Sequence, residues 1–280
     1  MRARGLILSC LCAACLTAAL GGCQSFPDPP VTFVAGLRVL GIKAEPPEVA
    51  AGGSSTVAAL AVDTSGATPA AAWNACLQPP LPGQVVNPDC VETAAASFLQ
   101  PIGSGLTVTA TMPQLTAAAL GQPDATGGVY LPLVADVTVP SGGVTGVYRL
   151  RLLGSAPANA NPTISTVDLF DASGAAAALD PTSPTPVASG AALSLAITFA
   201  AGSAEVYTAA DGRPTIETLT TSWFCTAGDF SVEKTSDTQP LTVLHLDQRL
   251  PAAGTPIDLW AVARDERGGT DFAHRVLQLR

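Results

Sequence analysis

Along much of the chain, apolar residues recur at every second position. Leu193, Leu195, Ile197 and Phe199 alternate with Ala192, Ser194, Ala196 and Thr198. Leu106, Val108 and Ala110 alternate with Thr107, Thr109 and Thr111, and Leu241, Val243 and Leu246 fall in another strand-like run. Ile257, Leu259, Ala261 and Ala263 form one face opposite Asp258, Trp260, Val262 and Arg264. Successive side chains of a strand point to opposite faces, so this spacing predicts half-buried strands. Helical periodicity is nearly absent, with a single turn predicted over Thr116 to Leu120. Gly52-Gly53, Gly127-Gly128, Ser141-Gly142-Gly143, Asp211-Gly212 and Arg267-Gly268-Gly269 punctuate the runs. Short strands between such turns predict an all-β sandwich or barrel.

The pattern occurs twice. Val49-Ala50-Ala51-Gly52 precedes a strand over Thr56–Val62, and Val187-Ala188-Ser189-Gly190 precedes one over Leu193–Phe199. Each is followed by a strand with a Trp and a Cys, first Trp73 with Cys76 and then Trp223 with Cys225. Each half ends in two strands, Tyr130–Val139 and Val144–Leu153 around Gly142-Gly143, then Ile257–Arg264 and Phe272–Leu279 around Gly268-Gly269. Between the halves, Ser155 to Pro162 is small and polar, a linker by composition. The predicted domains are 34–154 and 164–280, joined by a weakly coupling linker at 155–163.

Pro47 to Gly52, the Trp-bearing strand and the end Ala261 to Thr270 resemble bacterial Ig-like domains of the polycystic-kidney-disease or cadherin-like kind. In that family the penultimate strand ends in an Asp-x-x-Gly hairpin, matched here by Asp265-Glu266-Arg267-Gly268. The first half departs, with Pro140-Ser141-Gly142-Gly143 at that turn. The resemblance implies two tandem Ig-like antiparallel β-sandwiches, modular surface architecture and no single activity. It also implies that Trp73 and Trp223 are core residues.

The N-terminal segment has a different pattern. Met1-Arg2-Ala3-Arg4 precedes an apolar run from Gly5 to Leu20 and then Gly21-Gly22-Cys23. The run falls short of the about 20 residues a spanning helix needs, and the order basic, apolar, small is that of a secretory signal. Leu20-Gly21-Gly22-Cys23 resembles the lipobox of bacterial lipoproteins. That resemblance implies a signal peptide at 1–22, lipidation of Cys23 and membrane attachment through the lipid. Gln24, where an Asp commonly retains such proteins at the inner membrane, implies the outer membrane of a Gram-negative envelope. Ser25-Phe26-Pro27-Asp28-Pro29-Pro30 reads as part of an extended tether over 23–33.

Composition narrows the chemistry. With 13 Lys+Arg against 22 Asp+Glu and a net charge of −9, nucleic acid is not an expected partner. Two His and few charged residues leave little material for acid–base or metal catalysis. There is no GxSxG elbow and no HExxH. Gly36 to Lys43 approaches a phosphate-binding loop, but Ile42 intervenes before Lys43 and the run reads as a strand. No enzyme activity, cofactor or metal is expected. His245, near Asp247, and His274, beside Arg275, fall in predicted strands as structural or surface residues. Asp265, Glu266 and Asp271 cluster at the last hairpin, where Arg264 and Arg267 are expected to pair with them in preference to a Ca²⁺ ion.

Of seven Cys, Cys10, Cys12 and Cys15 leave with the signal. Cys76 and Cys90 flank a Pro-rich loop and are predicted to form a disulfide in an oxidising compartment. Cys225 is left as a buried free thiol. Trp260 lies on the outward face of its strand and is the candidate ligand contact. These features predict a non-catalytic envelope lipoprotein for structural or protein–protein contact. The alternative is a polysaccharide- or peptide-binding module using Trp260 or the Cys76–Cys90 loop.

Overall fold

The computed structural model describes residues 30–81, 83–92, 97–114, 117–154 and 157–280. The signal segment, Cys23 and most of the tether lie outside the described residues. Twenty strands and two helical turns, Asp89–Glu92 and Ala117–Leu120, make up the regular structure among them.

The first half holds β1 (Leu37–Glu45), β2 (Glu48–Val49), β3 (Ser54–Asp63), β4 (Ala70–Cys76), β5 (Leu99–Ser104), β6 (Thr107–Thr111), β7 (Tyr130–Val139) and β8 (Gly142–Leu152). They form a sheet β1-β3-β6 facing a sheet β2-β8-β7-β4-β5. The second half holds β9 (Ile164–Phe170), β10 (Ala176–Ala178), β11 (Thr185–Val187), β12 (Ala192–Phe199), β13 (Val206–Thr208), β14 (Pro214–Ile216), β15 (Thr220–Cys225), β16 (Asp229–Phe230), β17 (Lys234–Ser236), β18 (Thr242–His245), β19 (Pro256–Arg264) and β20 (Thr270–Leu279). Its sheets are β10-β9-β12-β18-β16 and β11-β20-β19-β15-β17, with β13-β14 a separate ribbon.

The strand order is that of an Ig-like sandwich. In each half the opening strand stays with one sheet, while a short following strand (β2 or β11) joins the other sheet parallel to the last strand (β8 or β20). An inner strand, β4 or β15, second from the edge of its sheet, carries the buried Trp, where Ig domains bury theirs. Both faces contribute to each core. Ile42, Val57 and Val108 meet Trp73, Leu131, Leu133 and Leu150 in the first. Val167, Leu195 and Leu244 meet Trp223, Leu259 and Leu277 in the second. Each indole N–H is satisfied, Trp73 Nε1 by Gly105 O at 2.8 Å and Trp223 Nε1 by Thr235 Oγ1 at 3.0 Å. A buried polar tip needs such a partner.

Two local expectations change. The β7–β8 turn comes earlier than Gly142-Gly143, because Val139 pairs with Gly142 and leaves Pro140-Ser141 as the connection. In β18 the inward residues are Thr242 and Leu244, followed by Leu246, while Leu241 is exposed. Thr242 is buried without cost to its hydroxyl, which donates to Val232 O at 2.7 Å.

The halves do not behave as beads on a string. Residues 32–280 form one compact unit. Asn161, read as linker, donates through Nδ2 to Ala44 O at 2.7 Å and accepts Thr270 N–H at 2.8 Å. Lys43 pairs with Asp271 at 3.0 Å, and Tyr148 OH donates to Gly268 O at 2.9 Å. Composition marks a polar segment but not whether its amides meet solvent or protein. Thr32 and Phe33, assigned to the tether, also belong to the fold. Cys225 N–H donates to Thr32 O at 3.0 Å, and Val34 N–H donates to Cys225 O at 2.8 Å.

Candidate interaction surface

The seam between the sandwiches is built on β19. Its inner face fills the second core, as the alternation predicts. Its outer face is buried too. Trp260 is 6% exposed and sits with Val34, Leu40 and Val262, flanked by Leu60, Val62, Phe224 and Phe272. Its ring stacks on His274, with centroids 5.3 Å apart. The expectation of an exposed Trp260 ready for a ligand is therefore corrected. Trp260 does point out of its own sandwich, but β1 and β3 of the other one cover it.

A buried charge knot lies beside this seam. Arg267 reaches Glu48 Oε2 and Glu217 Oε1 at 3.3 Å each and Glu205 Oε2 at 3.6 Å, and donates to Pro157 O at 2.9 Å. The other oxygen of Glu48 accepts from Arg151 Nε at 3.2 Å. Arg151 in turn donates to Thr126 Oγ1 and the Tyr130 hydroxyl at 2.6 and 2.9 Å. Each buried charge thus has opposite charges or hydrogen bonds around it, as burial demands. Burial pushes the Glu217 carboxyl up to about 7, and burial also raises that of Asp265.

The predicted pairing within the last hairpin is replaced by this arrangement. Arg267 turns to Glu48, Glu205 and Glu217, which come from distant segments. Asp265 accepts the N–H groups of Arg267 and Gly269 at 2.8 Å each, shaping the turn. A side chain at Gly269 would run into that carboxylate. Glu266 accepts Thr218 N–H, and Asp271 pairs with Lys43, so the three carboxylates do not converge on a common point. Among the described residues no group of three His, Cys, Asp or Glu side chains is placed to hold a metal.

Cys76 and Cys90 are joined by a disulfide. The loop it closes runs from the end of strand β4 into the helical turn Asp89–Glu92; it presents Leu77, Leu81 and Val85 to solvent, and Val91 is exposed just beyond it. Exposed apolar side chains concentrated on one stapled loop are a feature of contact surfaces. Cys225 is free and buried, and burial pushes its thiol up to about 12. His245 is exposed. His274 Nε2 lies 2.7 Å from Asp258 Oδ1.

A cleft of about 630 Å³ opens next to this loop. Val85, β1 from Arg38 to Ile42, β8 from Val144 to Arg149 and the Arg264–Thr270 hairpin line it. Its floor is tight, since a Cβ on Gly146 would lie 3.0 Å from Val39. Sequence reasoning missed this cleft and the charge knot. The signal for the knot was that Arg151, one of the scarce charged residues, stands within a strand-like run.

No protein-family model matches the chain, and no curated protein is similar to it. Among solved structures, it is similar to three N-terminal domains of the highly immunogenic outer capsid protein of bacteriophage RB49. The identity there is 10%, over 88% of this chain and 70% of that one, with a TM-score of 0.23. Against the N-terminal Ig1-2 module of the Drosophila receptor protein tyrosine phosphatase DLAR, the values are 12%, 88% and 99%, with a TM-score of 0.27. Against Drosophila N-cadherin EC1-4 they are 11%, 85% and 49%, with a TM-score of 0.22. At such scores the Ig-like assignment rests on the strand order itself.

Proposed function

We propose that the protein is a non-catalytic lipoprotein of the bacterial cell envelope, anchored through Cys23, that displays a fused pair of Ig-like sandwiches for protein–protein contact. The observation that carries this reading is the Cys76–Cys90 loop, whose Leu77, Leu81 and Val85 face solvent beside a cleft, with Val91 exposed next to it. Burying apolar area of this kind drives association, at about 25 cal/mol per Å² of surface removed from water. The fused halves hold loop and cleft in one geometry, which lowers the ordering cost of binding. The lipobox-like segment supports the anchor, since acyl chains contribute about 0.8 kcal/mol per buried CH₂.

Polysaccharide binding through Trp260 loses its support, because that ring is covered. Peptide contact through the stapled loop fits the same surface as the leading reading. Fractionation tests the anchor, and in-cell cross-linking tests the contact. Cys23→Ser should leave unprocessed precursor or soluble protein, and wild-type-sized protein in the outer membrane would sink the lipid anchor. A photo-cross-linker at Leu81 should give a discrete protein adduct that one at exposed Ala177 does not.

A further inference from the structure

The edge of β8 is open where the cleft lies. β8 pairs with β7 without a register shift from Gly142 to Arg151. Among the described residues its other edge is hydrogen-bonded only near its end, where Arg151 N–H donates to Pro47 O at 3.4 Å and Leu153 N–H to Val49 O at 2.7 Å, and Gly268 lies close to Arg149 O. The two-residue period sends the N–H groups of Thr145, Val147 and Arg149 the same way. Among the described residues no strand hydrogen-bonds to them there: β1 passes alongside, with Val39 against Gly146, but its ladder is with β3. An open edge of this kind is a template for another strand. Val144 to Arg149 spans roughly 20 Å at about 3.3 Å per residue, and the cleft along it falls within the about 300–1,000 Å³ of ligand clefts.

The charge of the cleft selects among strands. Arg38, Arg149 and Arg264 line it, on a protein whose balance is otherwise acidic. Arg149 already shares Asp124, at 3.3 Å. Asp265 in the wall is used by the N–H groups of its own turn. Arg264 reaches only neutral oxygens, Leu40 O at 3.1 Å and Ser222 Oγ at 3.4 Å. A half-buried guanidinium without a carboxylate gains from one brought by a ligand.

We infer that the cleft takes an extended acidic segment of a partner protein, which adds as a strand to β8 from Thr145 to Arg149 and sets a carboxylate against Arg264. Main-chain bonds supply the affinity in this mode of recognition, and side-chain contacts supply the selectivity. The inference rests on the reading of the protein as a contact module and names the class of partner.

The test uses the full chain in detergent micelles and a fluorescent octapeptide of alternating valine and glutamate, read by anisotropy. The peptide should bind, and the same peptide with lysine for glutamate should bind at least tenfold more weakly. N-methylation of alternate peptide amides, on the edge facing β8, should cost at least tenfold. Val147→Pro, which removes an N–H aimed into the cleft and leaves the β7 ladder intact, should do the same. Arg264→Gln should weaken the glutamate peptide at least fivefold and leave a valine–glutamine peptide unchanged. No binding, equal binding of the lysine peptide, or indifference to N-methylation would overturn the inference. So would a concentration-dependent dimer lost in Val147→Pro, which would assign the edge to a second copy. None of these results touches the Cys23 fractionation or the Leu81 adduct, so the broader reading stands or falls separately.

Discussion

Arg267 and Glu48 face each other across the two sandwiches, 3.3 Å apart and each with a side chain only 2% exposed. One comes from the last hairpin and the other from the second strand, so the pair ties the ends of the fold together. Removing one partner of a buried pair leaves the other uncompensated and typically costs about 3–5 kcal/mol. Arg267→Ala should therefore destabilise by roughly that amount. Calorimetry should show one transition for the wild type and two separated transitions for the variant. Two independent transitions in the wild type would mean that the knot does not couple the halves.

Trp260 tests the same seam through its apolar side. Trp223 is fully buried in the second core, and its truncation to Ala should cost about 3–5 kcal/mol. Trp260 is nearly as buried, but between sandwiches. Trp260→Ala should also cost several kcal/mol, above about 2, and should open the 157–163 segment to limited proteolysis while Trp223→Ala unfolds the second sandwich outright. A denaturant series giving Trp260→Ala a loss below about 1 kcal/mol, the range of surface changes, would contradict the burial.

The contrast between these tryptophans shows what was legible. Alternation in Ile257 to Arg264 correctly separated the faces of β19, because a side-chain period of two is a local property. It read Trp260 as solvent-facing because nothing local distinguishes water from a second sandwich beyond the sheet. The Cys76–Cys90 bridge was legible because both cysteines flank one loop. The partners of Arg267 were not, since Glu48, Glu205 and Glu217 lie far away in sequence and no periodicity links them. The open edge of β8 was hidden for a similar reason. It depends on the opening strand staying with the opposite sheet until Glu45, and that is a topological choice.

The knot should make stability depend on pH. Glu217 holds its proton up to about 7 in the fold, against 4.5 for an ordinary glutamate. Between those values the native state binds more protons than the unfolded chain, so stability falls as pH rises and levels off above about 7. The raised carboxyl of Asp265 acts in the same direction. Melting temperatures should decline across this window. Glu217→Gln, which cannot ionise, should flatten the decline, and an unchanged slope in that variant would show that Glu217 is not its source.

The cysteines give a separate check on the loop. By the chain-entropy model, a disulfide closing a loop of about 15 residues contributes about 3 kcal/mol. The Cys76–Cys90 separation of 14 is close to that length. Cys76→Ser/Cys90→Ser should lower stability by a comparable amount and weaken the Leu81 adduct, because the exposed apolar residues lose their staple. Cys225 should behave differently. It is enclosed in the second core, with a thiol pushed up to about 12, and the thiolate is the reactive form. Native protein should therefore resist maleimide, and unfolded, non-reduced protein should take up one equivalent at Cys225, counting residues 30–280. Peptide mapping that joins Cys225 to Cys76 or Cys90 would break both the loop assignment and the separation of the two cores.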